Sequence, residues 1–371
     1  MKILFFLLIS FFQIISNYEN DHKSQYNSII KIDDKLCLLL KLGDINNKMV
    51  FEIDIQGNLS YVTSRIFPRD YYKNSKSLGY IHIKALNNKT ASEHLMDYIY
   101  FNDNGIIVKE FHFYFIFNDN IQYNTLSFAY ETKNDRYSII NLLKKEKYID
   151  KLQMTLEVVD QYGSIFVGSF QRDSLSKLKK ASCSIDNNKW GCYVNQIYLN
   201  KKALLDIPLY ATLTTRTSKI LVPQKVYDYF SKQVLDKLIQ GKICYKDKEL
   251  YICYKKGMMM TPNISLSIGD FFFELSYNDF FIKKDNKYQC VIQSNPDNNS
   301  IQLGTTFLSK YVEIFDYENS LVEFYAKDEY SIKTKEEFML KDCSNLYIIL
   351  IINIITLIIN TILLIGVKLL N

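Results

Sequence analysis

Glycine and proline are scarce in this chain of 371 residues, at 12 and 5 copies, and it holds one tryptophan and four histidines. So few turn formers exclude collagen-like and proline-rich architectures, and they remove much of the usual punctuation between elements. The histidines stand alone at positions 22, 82, 94 and 112, and no cysteine pair has CxxC spacing, so no metal site and no cofactor is expected. A basic patch is also missing. Lysine and acid are mixed throughout and the net charge is only +5, which excludes nucleic acid as a partner. What remains is long enough to bury one large all-β domain or two lobes.

Both ends read as membrane signals. Met1-Lys2 followed by ILFFLLISFFQIIS has the cationic start and apolar run of a signal peptide, assigned to residues 1–16. Leu346 to Val367 carries no charge and is long enough to cross about 30 Å of hydrocarbon. Lys368 follows in a cytosolic stub at 368–371, as the positive-inside tendency favours. A glycolipid anchor would need a polar spacer after Ser344, and none is present. The expectation is a type I single-pass protein of the secretory pathway, its ectodomain lumenal or extracellular, with 331–345 as the juxtamembrane stalk. Seven cysteines suit that route. Cys183 pairs with Cys192 across one loop and Cys253 with Cys290 across a longer segment, with Cys244 as an alternative to Cys253. Cys37 and Cys343 could also meet. Acceptor sequences for N-glycosylation occur at Asn58, Asn88, Asn263 and Asn298.

Between these ends, short runs rich in Ile, Val, Tyr and Phe alternate with Asn/Asp clusters, the pattern of an all-β sandwich or barrel. Only 138–151 and 224–240 carry apolar residues at helical spacing, the second starting after Pro223. Two stretches share one outline. Phe51 to Ser64 and Leu209 to Pro223 each read strand, small polar loop, strand, but only the first loop has an acid, Asp54.

The order of these pieces resembles the pepsin-like aspartic proteases, including their membrane-anchored members, from about Cys37 to Ala326. Gly43 stands where that family has a turn glycine before its first catalytic Asp, and DIQGNLSYV from Asp54 aligns with DTGSSNLWV. Ser127-Phe128-Ala129-Tyr130 precedes the helix at 138–151, then GSIFVGSF follows as the Gly-rich strand. Trp190 and YVNQIYLN open a second half that ends in IQLGTTFLSKYVEIFDYENSLVEFYA. The resemblance implies an all-β, bilobal fold of two barrel-like lobes with few short helices, an N-terminal lobe at 36–180 and a C-terminal lobe at 181–330, plus the transmembrane helix at 346–367.

It also implies chemistry. The family hydrolyses peptide bonds with two Asp carboxylates that share one proton and hold a water between them. Asp54 matches the first; Thr214 falls at the second, and a Thr hydroxyl cannot share that proton. Ile55-Gln56 and Thr215-Arg216 replace the Thr-Gly pairs, Ala85 replaces the flap Tyr, and Tyr61 stands for the loop Trp. Arg216 brings bulk and positive charge to the cleft floor. The nearest acid before Thr214 is Asp206, separated from it by Pro208 and a strand. The resemblance therefore implies a catalytically inactive homologue acting as a membrane-anchored binding or assembly module, with a protein or peptide in the interlobe cleft and an oligomeric state left open. The alternative is an active aspartic-type endopeptidase with an atypical site.

Overall fold

Alternation of apolar and polar side chains at a period of two, in runs dominated by β-branched and aromatic residues, makes strand the main element among the described residues. The computed structural model describes residues 24–32, 34–43, 48–63, 79–81, 92–101, 106–116, 121, 123–130, 138–159, 161–170, 173–186, 188–248, 250–254, 261–284, 286–327, 332–338 and 354–356. They form sheets of thirteen, nine and four strands with a few short helices. The largest sheet draws on both halves of the chain: Tyr311–Asp316 and Leu321–Ala326 continue it beyond Gln153–Val159 and Tyr162–Gly168. Barrel-like curvature and this strand content agree with the fold expected from the sequence.

The two stretches singled out in the sequence share one topology. Met49–Asp54 runs parallel to Asn124–Ser127, with Asp54 opposite Ser127, and the returning strand Tyr61–Thr63 lies antiparallel on the far side of Asn124–Ser127. In the second half, Leu209–Leu213 runs parallel to Ser300–Leu303, and Ile220–Val222 returns antiparallel to it. Each loop therefore closes over a third strand inserted between its own two. That placement forces both loops to the ends of buried strands, where they can meet. Gly43 makes the turn after strand Lys35–Leu42 at φ +58°, and a Cβ there would stand 2.5 Å from an Asp97 carboxylate oxygen, so only glycine fits.

One apolar core joins the inner faces of these sheets, from Leu36 and Phe51 through Trp190 to Phe315 and Phe324. Trp190 is fully buried and meets Tyr130, Phe315 and Tyr317 edge-on, with ring centroids 5.3, 5.0 and 4.7 Å away. Its indole N–H donates to Phe128 O at 3.0 Å and the Tyr317 hydroxyl donates to the same oxygen at 2.7 Å. Polar ends on buried aromatics need such partners, and here they bind the two halves.

The first expected helix is shorter than its periodic stretch, Ile139–Lys145, capped by Ser138. The second runs from Gln224 to Gln240 with a π-helical turn at Ser231–Leu235. Cys183 is bonded to Cys192 as expected. The pairing of Cys253 with Cys290 is corrected: Cys253 is bonded to Cys244, its direct opposite in the hairpin of Cys244–Asp247 and Leu250–Cys253. Register decides this, because Tyr288 rather than Cys290 faces Cys253 on the next strand. Cys290 is a buried thiol, and burial pushes its pKa up to about 12. Cys37 is buried with its thiol toward Lys35 O, and Cys343 lies outside the described residues. The stretch 1–16 expected to be a signal peptide lies outside them too, as does the apolar run 346–367 apart from a helical piece at 354–356. Among the described residues, no helix is long and apolar enough to cross a membrane.

Candidate functional site

Asp54 ends its strand with its side chain buried beneath the loop that follows. Oδ1 accepts the backbone N–H groups of Gln56 and Gly57, both at 2.9 Å. Such an Asx-type turn needs the backbone to approach closely, and a Cβ on Gly57 would lie 2.4 Å from Asp54 Oδ2. Oδ2 receives Arg216 Nη1 at 3.2 Å. The Asp54 carboxylate thus takes its hydrogen bonds from two backbone amides and one guanidinium.

Arg216 reaches this point from the second loop and also donates Nε to Glu52 Oε1 at 2.6 Å. The second oxygen of Glu52 takes Lys35 Nζ at 2.9 Å. Lys35, Glu52, Arg216 and Asp54 thus form one chain of alternating charge, with the two carboxylates underneath and the two cations partly open to solvent. Burial acts to lower the Arg216 pKa, but the charges of Glu52 and Asp54 outweigh it and hold the guanidinium above its ordinary value.

The loops interlock by further bonds. Thr215 Oγ1 donates to Ile53 O at 2.5 Å, and Leu36 N–H donates to Thr215 O at 3.0 Å. In the opposite direction, the Gln56 amide Nε2 donates to Trp190 O at 2.7 Å and Leu213 O at 2.6 Å. The second loop closes on itself through Thr214, whose hydroxyl accepts the Arg216 N–H at 3.3 Å, while Thr214 N–H donates to Leu303 O at 2.9 Å. A Thr hydroxyl here does for its turn what the Asp54 carboxylate does for the first.

Asp54, Gln56, Thr214, Thr215 and Arg216, picked from the sequence, therefore come together. The branched apolar side chain of Ile55 is buried in the core. Tyr61 is half-buried on the returning strand, opposite Thr125, and Ala85 lies outside the described residues. Asp206 sits at the surface on Lys225, 2.6 Å away. Sequence reasoning missed Glu52 and Lys35. Glu52 had a readable signal, since an acid in the otherwise apolar strand MVFEID, two residues before Asp54, must share its face. Lys35 had none.

Residues 116–327 match the family model described as eukaryotic aspartyl protease. The match covers more than half of the chain, including the Thr214 loop and the closing Leu303–Ala326 stretch, and begins after Asp54. No curated protein matches the chain. With the family match spanning both inserted strands, Asn124–Ser127 and Ser300–Leu303, and the structure repeating one strand–loop–strand topology in each half, the chain belongs to the eukaryotic aspartyl protease family.

Proposed function

We propose that this protein is a catalytically inactive member of its family, a pseudoprotease kept as a membrane-anchored module that holds a protein or peptide in the interlobe cleft. One observation carries the reading: Arg216 is seated on Asp54, and Thr214, the residue aligned with the second acid, offers only a hydroxyl. Hydrolysis on this fold needs two carboxyl groups close enough to share a proton and hold a water. The neighbour of Asp54 is a guanidinium, which cannot release a proton to a substrate carbonyl or accept one from water. Asp206, the only earlier acid near the loop in sequence, is engaged by Lys225 at the surface.

The test is incubation of the full-length chain with a mixed peptide library between about pH 4 and 7, the range in which a shared-proton pair works. No cleavage is expected from the wild type, nor from Thr214→Asp alone, because Arg216 would remain in place. Cleavage by the wild type that Asp54→Asn abolishes would end the inactive reading. Membrane anchoring rests on the charge-free run Leu346 to Val367. Deleting it is expected to move the protein from the alkaline-washed membrane pellet to the supernatant, and a chain soluble with the run intact would refute the anchor.

A further inference from the structure

We infer that the cleft floor is a carboxylate-recognition site, and that the partner held there is a peptide presenting an acidic group to Arg216 and Lys35. The inference rests on the inactive-scaffold reading and names what that scaffold binds. Its basis is a vertical separation of charge. The side chains of Glu52 and Asp54 are 2% and 5% exposed, while those of Lys35 and Arg216 above them are 27% and 43% exposed. An anion arriving from solvent meets the cations first, and the buried acids serve to fix those cations in place.

The guanidinium is also only partly used. Its Nε–H goes to Glu52 and one Nη1–H to Asp54. The other Nη1–H and both Nη2–H groups have no protein partner among the described residues, and they form the end of the planar fork that matches two carboxylate oxygens. Two anchoring bonds at 2.6 and 3.2 Å hold that fork in one orientation, so a ligand bears little of the ordering cost. Lys35 Nζ is tethered on the other side of the same Glu52 carboxylate and lies 4.8 Å from the Tyr123 ring centroid. The four charges cancel, so selection for an acid comes from contact geometry and not from a long-range field.

An acidic side chain and a free C-terminus offer the same group, and the experiment separates them. Acetylated octapeptide libraries are presented to the full-length chain in three forms: with internal Asp or Glu and an amidated end, with Asn or Gln and an amidated end, and with Asn or Gln and a free end. Peptides are recovered by co-elution and weighed. Enrichment is expected in one or both acid-bearing forms, with affinity for the selected peptide falling as salt rises. Arg216→Gln is expected to weaken it about 10- to 100-fold, the scale of a charge-assisted bond.

Because Arg216→Gln leaves two buried acids short of a partner, a triple variant, Glu52→Gln with Asp54→Asn and Arg216→Gln, removes the charges together. Arg216→Lys keeps the charge but loses the fork, and a comparable loss is expected. Equal recovery of the neutral amidated form, absence of any bound peptide, or wild-type affinity in the folded triple variant would overturn the proposal. Peptides recovered as fragments would instead overturn the inactive reading, leaving the acid preference to be judged from which forms were bound.

Discussion

Glu313 offers the sharpest test of the interior. It lies in the middle of strand Tyr311–Asp316, opposite Phe324 on one neighbouring strand and Leu156 on the other, and its side chain is fully buried. Neither carboxyl oxygen has a hydrogen-bond partner among the described residues. Burial pushes its pKa well above 4.5; Lys327 pulls the other way and the charge of Glu157 adds to the rise. The Lys327 ammonium donates to Val158 O at 2.5 Å and Ser309 O at 2.8 Å, and its charge offsets only part of the cost of burial.

The sign follows from proton counting. The folded chain keeps the Glu313 proton where the unfolded chain has lost it, so the contribution is fully present below about pH 4.5 and is lost as pH rises toward the folded pKa. Each unit of that rise costs about 1.4 kcal/mol. Glu313→Gln keeps shape and removes the titration. In urea unfolding of the full chain it is expected to match the wild type near pH 4 and to be the more stable of the two at pH 7, the gap widening as pH rises between these values. Glu313→Leu also removes the unpartnered oxygens and is expected to gain a further ~1–3 kcal/mol at both pH values. Parallel stability profiles for wild type and Glu313→Gln across this range would show that the carboxyl finds a partner or water, and the reasoning would fail.

Three other outcomes follow from the same contacts. Gln56→Ala should cost about 1–2 kcal/mol through two lost bonds to Trp190 O and Leu213 O, whereas the near-isosteric Gln56→Glu should cost more at pH 7 by setting a carboxylate against both carbonyls; equal urea midpoints for the two would contradict the donor assignment. Gly57→Ala should destabilise by about 1–3 kcal/mol, since its Cβ would fall 2.4 Å from Asp54 Oδ2, and a thermal midpoint equal to wild type would show that the loop relaxes freely. Non-reducing peptide mapping should recover Cys183 with Cys192 and Cys244 with Cys253, and Cys290 should resist alkylation until the chain unfolds; labelling of Cys290 in native buffer would refute its burial.

The parts legible in the sequence are those that local pattern determines. Strand periodicity, the turn at Gly43, the helix after Pro223 and the nine-residue Cys183–Cys192 link each depend on residues near one another in the chain. Family resemblance then placed Asp54, Thr214 and Arg216 in one region, which spacing alone could not do. The Cys244–Cys253 bond was misread because hairpin register, not sequence interval, chooses between Cys253 and Cys290 as neighbours. The burial of Ile55 was not legible for a related reason: in a loop, the direction of one side chain depends on backbone angles that its neighbours do not announce. Lys35 stayed invisible because its partner Glu52 belongs to another strand, and a lysine at a strand start looks like any solvated one.

Why the loops survive such substitution can be argued from their bonds. Closing each turn requires an oxygen two residues before a backbone N–H: Asp54 Oδ1 supplies it to Gln56, and Thr214 Oγ1 supplies it to Arg216. Joining the halves requires donors aimed at strand-end carbonyls: Thr215 Oγ1 reaches Ile53 O, and the longer Gln56 side chain reaches Leu213 O although Ile55, beside it, has no hydroxyl. Neither requirement needs a group that titrates, since the Thr214 hydroxyl closes the second turn as the Asp54 carboxylate closes the first. Folding thus asks position 214 for a short polar side chain and position 56 for a donor of sufficient length, while peptide hydrolysis asks for a second acid. The fold's own requirements are therefore met by a hydroxyl at 214 and a guanidinium at 216. Glu52, buried on the same strand face as Asp54, then gives that guanidinium a second anchor.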